Sequence, residues 1–96
     1  MRRAAILQCI VRDQKKLEQR GVKSLSLFGS VARGEEKKTS DVDILVSFSR
    51  PVGLFAFMEL KNHLEGVLGM PVDLVTKQAL HPHLRARILK ESIHAL

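Results

Sequence analysis

The chain has 96 residues, of which 45% are hydrophobic and 27% charged, and its formal net charge is +6 at pH 7. These values predict one small domain over residues 1–96, with a single core and no room for a separate substrate domain. A chain of this size cannot build elaborate substrate specificity alone, so we expect a partner to supply that specificity.

The hydrophobic segments are too short for a membrane protein. No stretch approaches the roughly 20 apolar residues of a membrane span. The apolar start is interrupted by Gln8 and lacks a cleavage-site pattern, which argues against a secretory signal. The single cysteine, Cys9, cannot form an internal disulfide and is expected to fill the core. These features favour a cytoplasmic protein with no membrane contact.

Hydrophobic periodicity predicts an α+β (mixed α/β) fold with the order helix, strand, strand, helix, strand, helix. The expected elements are a helix over 2–19 ending near Gly21, a strand over 24–28, a short helical turn and loop, a strand over 41–48, a helix over 54–68 capped by Gly69, a strand over 71–75, and a helix starting near Pro82.

Two helices are expected to present apolar stripes to the core. On the helix over 54–68 the stripe consists of Leu54, Phe57, Met58, Leu64 and Leu68. On the last helix we expect Leu84, Ile88 and Leu89 to face the core. The histidines His63 and His94 are predicted to lie on helix surfaces. His81 and His83 are predicted to lie in a solvated loop, since a metal site would need further ligands.

Two aspartates on one strand carry the first chemical signal. Asp41 and Asp43 alternate with apolar residues, so both project from the same face, about 7 Å apart at Cα. Carboxylates placed in this way can hold Mg²⁺, which takes oxygen ligands and completes its shell with water and substrate phosphates. Asp73, on a later strand, could add a third carboxylate, and three such groups could bind two metals or one metal and a base.

A Gly-Ser pair precedes the aspartates by ten residues. Gly29 and Ser30 end a strand and begin a helical turn, where free N–H groups and a hydroxyl suit a triphosphate. Arg33 is a candidate phosphate or structural ligand. Taken singly, an Asp beside a strand is usually a turn or cap residue, and Gly-Ser is usually a plain turn. Together at these offsets they arise by chance at roughly 10⁻³, from average residue usage, so the set indicates phosphoryl or nucleotidyl transfer.

The segment GSVARGEEKKTSDVDILV resembles the signature of the DNA polymerase beta-like nucleotidyltransferase superfamily. The strand PVDLVT and the ending LRARILKESI are similar to its minimal form, the MNT domain. The resemblance implies a nucleotidyltransferase fold with a short mixed sheet packed against helices, Mg²⁺ as metal and ATP as donor. It also implies that Asp41 and Asp43 are the metal-binding pair, Asp73 the third carboxylate, and Gly29 and Ser30 the nucleotide-binding turn.

In size and motif the chain is also similar to MntA-type antitoxins of HEPN/MNT toxin–antitoxin pairs. That resemblance implies transfer of AMP from ATP to a tyrosine of a HEPN-type ribonuclease toxin. The chain itself contains no tyrosine, so a tyrosyl acceptor must come from another protein.

The charge distribution bears on partners. Residues 1–25 carry seven Lys and Arg against two acids, residues 76–96 four against one, and residues 26–75 five against seven. Nucleic acid is disfavoured, because there is no Trp or Tyr and the four Phe lie in apolar segments. An acidic protein partner fits the basic ends better.

Two alternatives to a protein-modifying enzyme remain open. One is a non-catalytic binding antitoxin or nucleotide-binding module that acts by occlusion. The other is a small-molecule (antibiotic) nucleotidyltransferase, for which a homo-oligomer would have to form the substrate pocket.

Overall fold

The computed structural model describes residues 3–35 and 41–96, which fold around one four-stranded sheet. The elements are α1 (Arg3–Arg12), α2 (Gln14–Gln19), β1 (Val22–Phe28), α3 (Gly29–Ala32), β2 (Val42–Phe48), α4 (Leu54–Leu68), β3 (Val72–Thr76), a 3₁₀ turn (Lys77–Ala79), α5 (Pro82–Glu91) and β4 (Ile93–His94). Part of the predicted loop before β2, residues 36–40, lies outside the described residues. No helix in the described ranges is long and apolar enough to cross a membrane.

The strand order is β3-β2-β1-β4, which confirms that the three predicted strands share a sheet. β1 and β2 are antiparallel, while β2 and β3 are parallel and are connected through α4. A parallel pair needs such a crossover because the chain must return to the same end of the sheet. The sheet is therefore mixed, as the predicted fold class requires.

The core lies between one face of β2 and the helices α1 and α4. Alternation along β2 sends three side chains to that face, and all three are fully buried: Val42, Ile44 and Val46. They belong to one apolar cluster with residues of α1 and α4. Cys9 is packed against this cluster, as expected of a core-filling cysteine.

The helix predicted over 2–19 is two helices. The break falls at Asp13, whose backbone lies outside the helical region at φ −92° and ψ 6°. The Asp13 carboxylate bonds to the Nε2 atom of His63 on α4. The prediction that His63 lies on a helix surface was therefore wrong, because a tertiary contact between distant segments draws its ring into a half-buried position.

The apolar stripe of α4 differs from the predicted one. The helix has the expected bounds and ends at Gly69, which adopts the left-handed conformation at φ 67°. Its buried residues are Leu60, Leu64 and Leu68, spaced four residues apart. Leu54 and Met58 were predicted to be buried but are 70% and 50% exposed, whereas Phe57 is half-buried and packs against the core.

The C-terminal segment also departs from the prediction. α5 begins at Pro82 as expected but buries none of its residues, so Leu84 and Leu89 do not face the core. After α5 the chain forms β4, which pairs with β1. His94 therefore lies in an edge strand and not on a helix. Two residues are too few to show an alternating pattern, so β4 could not be predicted.

Substitutions on α4 can test which face is packed. Leu64→Ala should cost roughly 2–5 kcal/mol in the free energy of unfolding, because a fully buried leucine leaves a cavity. Met58→Ala, on the exposed side, should change it by less than about 0.5 kcal/mol. Urea denaturation of both variants measures the difference, and equal effects would contradict the observed packing.

Candidate active site

The carboxylates of Asp43 and Asp73 are brought together by the parallel register of β2 and β3. The two residues are direct cross-strand partners, and neighbouring strands lie about 4.8 Å apart. Both side chains project from the sheet face opposite the core. Asp43 is half-buried, whereas Asp73 is exposed. The sequence predicted that these two residues would share a site, and the sheet places them side by side.

The start of β3 is held by a side chain of α4. The carboxylate of Glu65 accepts a hydrogen bond of 2.9 Å from the backbone N–H of Val72, the residue before Asp73. Since β3 follows directly after the Gly69 cap and a short turn, this bond fixes where the strand begins. Glu65 therefore sets the position of Asp73 without touching the site, a role that the sequence pattern did not reveal.

The electrostatics of the site are dominated by Asp43. Burial raises the pKa of its carboxyl group above the ordinary value, and the negative charges of Asp73 and Asp41 raise it further. Arg33 acts in the opposite direction and lowers the pKa of Asp43. Like charges held this close favour protonation or the binding of a cation.

Asp41 is an exposed residue just before β2, near enough for its charge to act on Asp43. Within the described residues, however, no three Asp, Glu, His or Cys side chains converge into a ready metal-binding group. The assembled part of the predicted three-carboxylate site is thus the Asp43–Asp73 pair. Asp41 remains a predicted ligand.

Gly29 is required by the close approach of β1 and β2. Phe28, the last residue of β1, pairs with Asp43, and Gly29 follows with a positive φ of 69°. A Cβ atom at Gly29 would overlap the Oδ2 atom of Asp43 and lie 3.0 Å from its Cγ atom. Only glycine supplies both the left-handed conformation and the space for the carboxylate.

The turn after Gly29 has the predicted strand-to-helix form. α3 spans only four residues, and it is closed by hydrogen bonds from the backbone N–H groups of Arg33 and Glu35 to the carbonyl oxygens of Gly29 and Ser30. Arg3 on α1 donates a 2.8 Å hydrogen bond to the carbonyl oxygen of Ala32 and so anchors the end of α3. Ser30 is half-buried beside Gly29. Its role as a phosphate ligand stays a prediction.

Arg33 is engaged by two carboxylates. Its Nε atom donates to Glu35 over 3.1 Å, and its Nη1 atom lies 3.6 Å from Oε2 of Glu91 on α5. These partners, Glu35 first, raise the pKa of Arg33. The sequence did not single out Glu91, which is 58 residues away and is brought to Arg33 only by the packing of α5 against α3.

Two pockets differ in their relation to these residues. One of about 220 Å³ lies between α3 and α5 and is lined by Gly29 and Arg33. A larger one of about 410 Å³ lies at the other end of β2 and β3, beside Arg50 and Lys77. The smaller pocket adjoins the site, because it is lined by Gly29, whose backbone closely approaches the Asp43 carboxylate.

His81 and His83 are both exposed, as predicted, but only His81 precedes α5, and His83 is the second residue of that helix. The Nδ1 atom of His81 accepts a hydrogen bond of 3.2 Å from the backbone N–H of His83. His81 therefore caps the N-terminus of α5, which gives the pair a structural role.

Comparison with known proteins agrees with the geometry. The Nucleotidyltransferase domain family model matches residues 10–95. The chain is 44% identical over 86 residues to the protein adenylyltransferase MntA of Thermococcus cleftensis, covering 88% of this chain and 87% of the relative. These matches confirm the interpretation of the motif as that of a nucleotidyltransferase.

Solved structures show the same fold. A minimal nucleotidyltransferase superposes with a TM-score of 0.84 at 36% identity, covering 97% of this chain and 95% of that one. A toxin–antitoxin structure with AMP-PNP gives a TM-score of 0.75 at 25% identity, covering 94% and 72%. An MNT antitoxin in complex with a tri-AMPylated HEPN toxin from Shewanella oneidensis gives 0.69 at 22% identity, covering 98% and 71%, which is a likeness of fold alone.

The stability of the metal-free protein should respond to the charge on Asp43. Because its folded-state pKa is raised, Asp43 contributes stability below its ordinary pKa of about 4, and this contribution is lost as the pH rises through the raised value. Asp43→Asn should therefore stabilise the fold near neutral pH, by at most about 1 kcal/mol because solvent screens a partly exposed pair.

The gain should shrink as the pH falls through the raised pKa of Asp43 and vanish below about 4, where the carboxyl group is protonated in both states. Urea denaturation of Asp43→Asn and of the wild type in metal-free buffer, once near neutral pH and once below about pH 4, measures the gain in the free energy of unfolding. Glu59→Gln is the control, since the Glu59 side chain is 71% exposed and belongs to α4. A gain that is the same at both pH values would contradict the electrostatic explanation.

Two glycines with nearly the same backbone angle separate conformational strain from the clash with Asp43. Gly29→Ala and Gly69→Ala both place a Cβ atom at a positive φ, 69° and 67° respectively, at a cost of about 1 kcal/mol. Nothing lies within 4 Å of a Cβ atom at Gly69. Gly29→Ala should therefore be the more destabilising variant.

The extra loss of stability in Gly29→Ala, compared with Gly69→Ala, should disappear when Asp43 is also replaced by Ala, because the overlapping carboxylate is then absent. A double-mutant cycle of unfolding free energies measures this coupling. If Gly29→Ala costs no more than Gly69→Ala in the wild-type background, the close approach of Gly29 to Asp43 is not a constraint.

Proposed function

Because the chain belongs to the Nucleotidyltransferase domain family, we propose that it transfers AMP from ATP to a tyrosine of a partner protein and acts as an antitoxin. The observation that carries the proposal is the Asp43–Asp73 pair beside Gly29, where a half-buried carboxylate is held against the strand-to-helix turn at Gly29. The partner class we propose is a HEPN-type ribonuclease toxin.

Support for a protein acceptor comes from the relatives. The Thermococcus cleftensis relative is a protein adenylyltransferase, and the structural neighbour with AMP-PNP is a toxin–antitoxin complex. The chain lacks tyrosine, which fits a tyrosyl acceptor supplied by another protein and excludes transfer to its own tyrosines.

The donor atoms fit a divalent cation. Carboxylate oxygens are the ligands that Mg²⁺ prefers. Burial first, and then the negative charges of Asp73 and Asp41, raise the pKa of Asp43, and a bound cation would offset both effects. We propose that Asp43 and Asp73, with Asp41, hold the ion. When bound, Mg²⁺ supplies charge neutralisation for the triphosphate.

The reaction itself is a displacement at phosphorus. The phenolic oxygen of the acceptor attacks the α-phosphorus of ATP, the bond from that phosphorus to the bridging oxygen breaks, and pyrophosphate leaves with the bonding electrons. The phenolic proton passes to a carboxylate of the site or to water. Gly29 and Ser30 orient the phosphates, and the carboxylates of Asp43 and Asp73 would hold the cation that offsets the phosphate charge.

Asp43→Asn tests the catalytic role. The amide keeps the shape of the side chain but lacks the charge that holds a cation, so transfer should fall by at least about 100-fold, the scale of losing an electrostatic group in an active site. The measurement is the mass added to the purified partner in ATP and Mg²⁺, with co-purification showing that the two proteins still bind.

A folded Asp43→Asn variant that still neutralises the toxin in cells as well as wild type would contradict catalysis as the antitoxin mechanism and favour occlusion. A matched control is Asp13→Asn, which removes a carboxylate on the opposite side of the sheet, where it bonds to His63. The control variant should retain transfer.

A further inference from the structure

α5 is a folded helix that buries nothing. Each other helix in the described residues buries at least one side chain, but all ten residues of α5 are exposed or half-buried. Leu84 is 49% exposed and Leu89 38% exposed. α5 contacts α3 and β1, but a helix of this length gains most of its stability from burying an apolar face. Its exposed apolar side therefore indicates a surface that a partner covers.

The pocket between α3 and α5 lies directly beside the site. Its apolar walls come from Phe28, Leu84 and Ile88, and Gly29 is also part of its lining. Because Gly29 approaches the Asp43 carboxylate so closely, a group that enters this pocket reaches the region where the reacting phosphorus must lie.

The volume of the pocket limits what it can hold. At about 220 Å³ it falls below the roughly 300–1,000 Å³ of sites that enclose a whole small-molecule ligand. A nucleoside with its phosphates is too large for it, whereas a single aromatic side chain fits. The three apolar walls suit the ring of a tyrosine.

The charge of α5 indicates the charge of the partner surface that surrounds the tyrosine. Arg85, Arg87 and Lys90 are exposed, and the only acid of the helix, Glu91, lies within 4 Å of both Arg33 and Arg87. The helix therefore presents net positive charge around its exposed leucines. Complementary charge steers association and fixes orientation, so the matching surface is acidic.

We propose that α5 is the docking helix for the acceptor protein and that the pocket between α3 and α5 receives the acceptor tyrosine from an acidic surface of that protein. This inference rests on the proposed function and adds the location and chemistry of the acceptor site. The tyrosine ring packs between Phe28, Leu84 and Ile88, and its hydroxyl points toward Gly29, from where it attacks the α-phosphorus while pyrophosphate leaves.

Two leucine variants test the proposal. Leu84→Glu places a negative charge at the wall of the pocket, and Leu54→Glu makes the same change on α4 at a site that is 70% exposed. Neither residue is buried, so both variants should fold, which urea denaturation checks. The acceptor protein used in these assays is the product of the open reading frame next to this chain's gene.

Leu84→Glu should raise the KM for the acceptor protein at least tenfold and leave the KM for ATP within twofold. Leu54→Glu should leave both unchanged. An unchanged acceptor KM for Leu84→Glu would overturn the proposal, and so would an equal rise for Leu54→Glu, which would place docking on α4. A rise in the KM for ATP alone would assign the pocket to the nucleoside.

The charge of the surface has its own test. Replacing Arg85 and Lys90 together by Glu should raise the KM for the acceptor protein. The rise should be larger at low salt than at high salt, because salt screens the charge attraction that the substitutions remove. The same change with no dependence on salt would overturn the acidic-surface part of the proposal.

Failure of the proposed function gives a different result. If the wild-type chain binds the acceptor protein but adds no AMP, catalysis is absent, and the docking surface is then measured by affinity alone. Leu84→Glu should still weaken that binding at least tenfold and Leu54→Glu should not. Equal affinities of the two variants would overturn the docking helix independently of catalysis.

Discussion

The close approach between the Asp43 carboxylate and the backbone of Gly29 sets the conditions for the rest of the site. It occurs because Phe28 and Asp43 are paired across antiparallel strands, so the turn that leaves β1 passes over the side chain of β2. Any side chain larger than hydrogen at Gly29 would displace the carboxylate. The turn at Gly29 and the charged strand therefore form one unit, in which neither can change without the other.

A strand that carries crowded carboxylates needs a strong anchor on its other face. In β2 that anchor is Val42, Ile44 and Val46, all fully buried, and each contributes about 1.5–3 kcal/mol by leaving water. These residues alternate with Asp43, so the same two-residue period that exposes the carboxylate also fixes its strand in the core. The repulsion among Asp41, Asp43 and Asp73 is small by comparison and is offset locally by Arg33.

α5 is held beside the site by ion pairs, and none of its residues is fully buried. Glu91 lies within 4 Å of Arg33, which follows α3, and of Arg87 on its own helix. Such exposed ion pairs contribute little stability, which leaves α5 the least anchored of the helices described. A helix held in this way can present apolar residues to another protein without weakening the core beneath β2.

The sequence by itself determined β1, β2 and β3, the helix over 54–68, the cap at Gly69, the spacing of Gly29, Ser30, Asp41 and Asp43, and hence the family, but not β4. These are local properties, because periodicity and turn chemistry act over a few residues. Which apolar face of α4 is buried, the break at Asp13, and the exposure of α5 depended on contacts between distant segments, such as His63 with Asp13 and Glu91 with Arg33. The position of Asp73 beside Asp43 depended on both local pattern and tertiary structure. Alternation predicted its outward face, and only the parallel register of β2 and β3 placed it opposite Asp43. Register is a tertiary property because it is fixed by how α4 returns the chain to the sheet, and no local pattern encodes that length and direction.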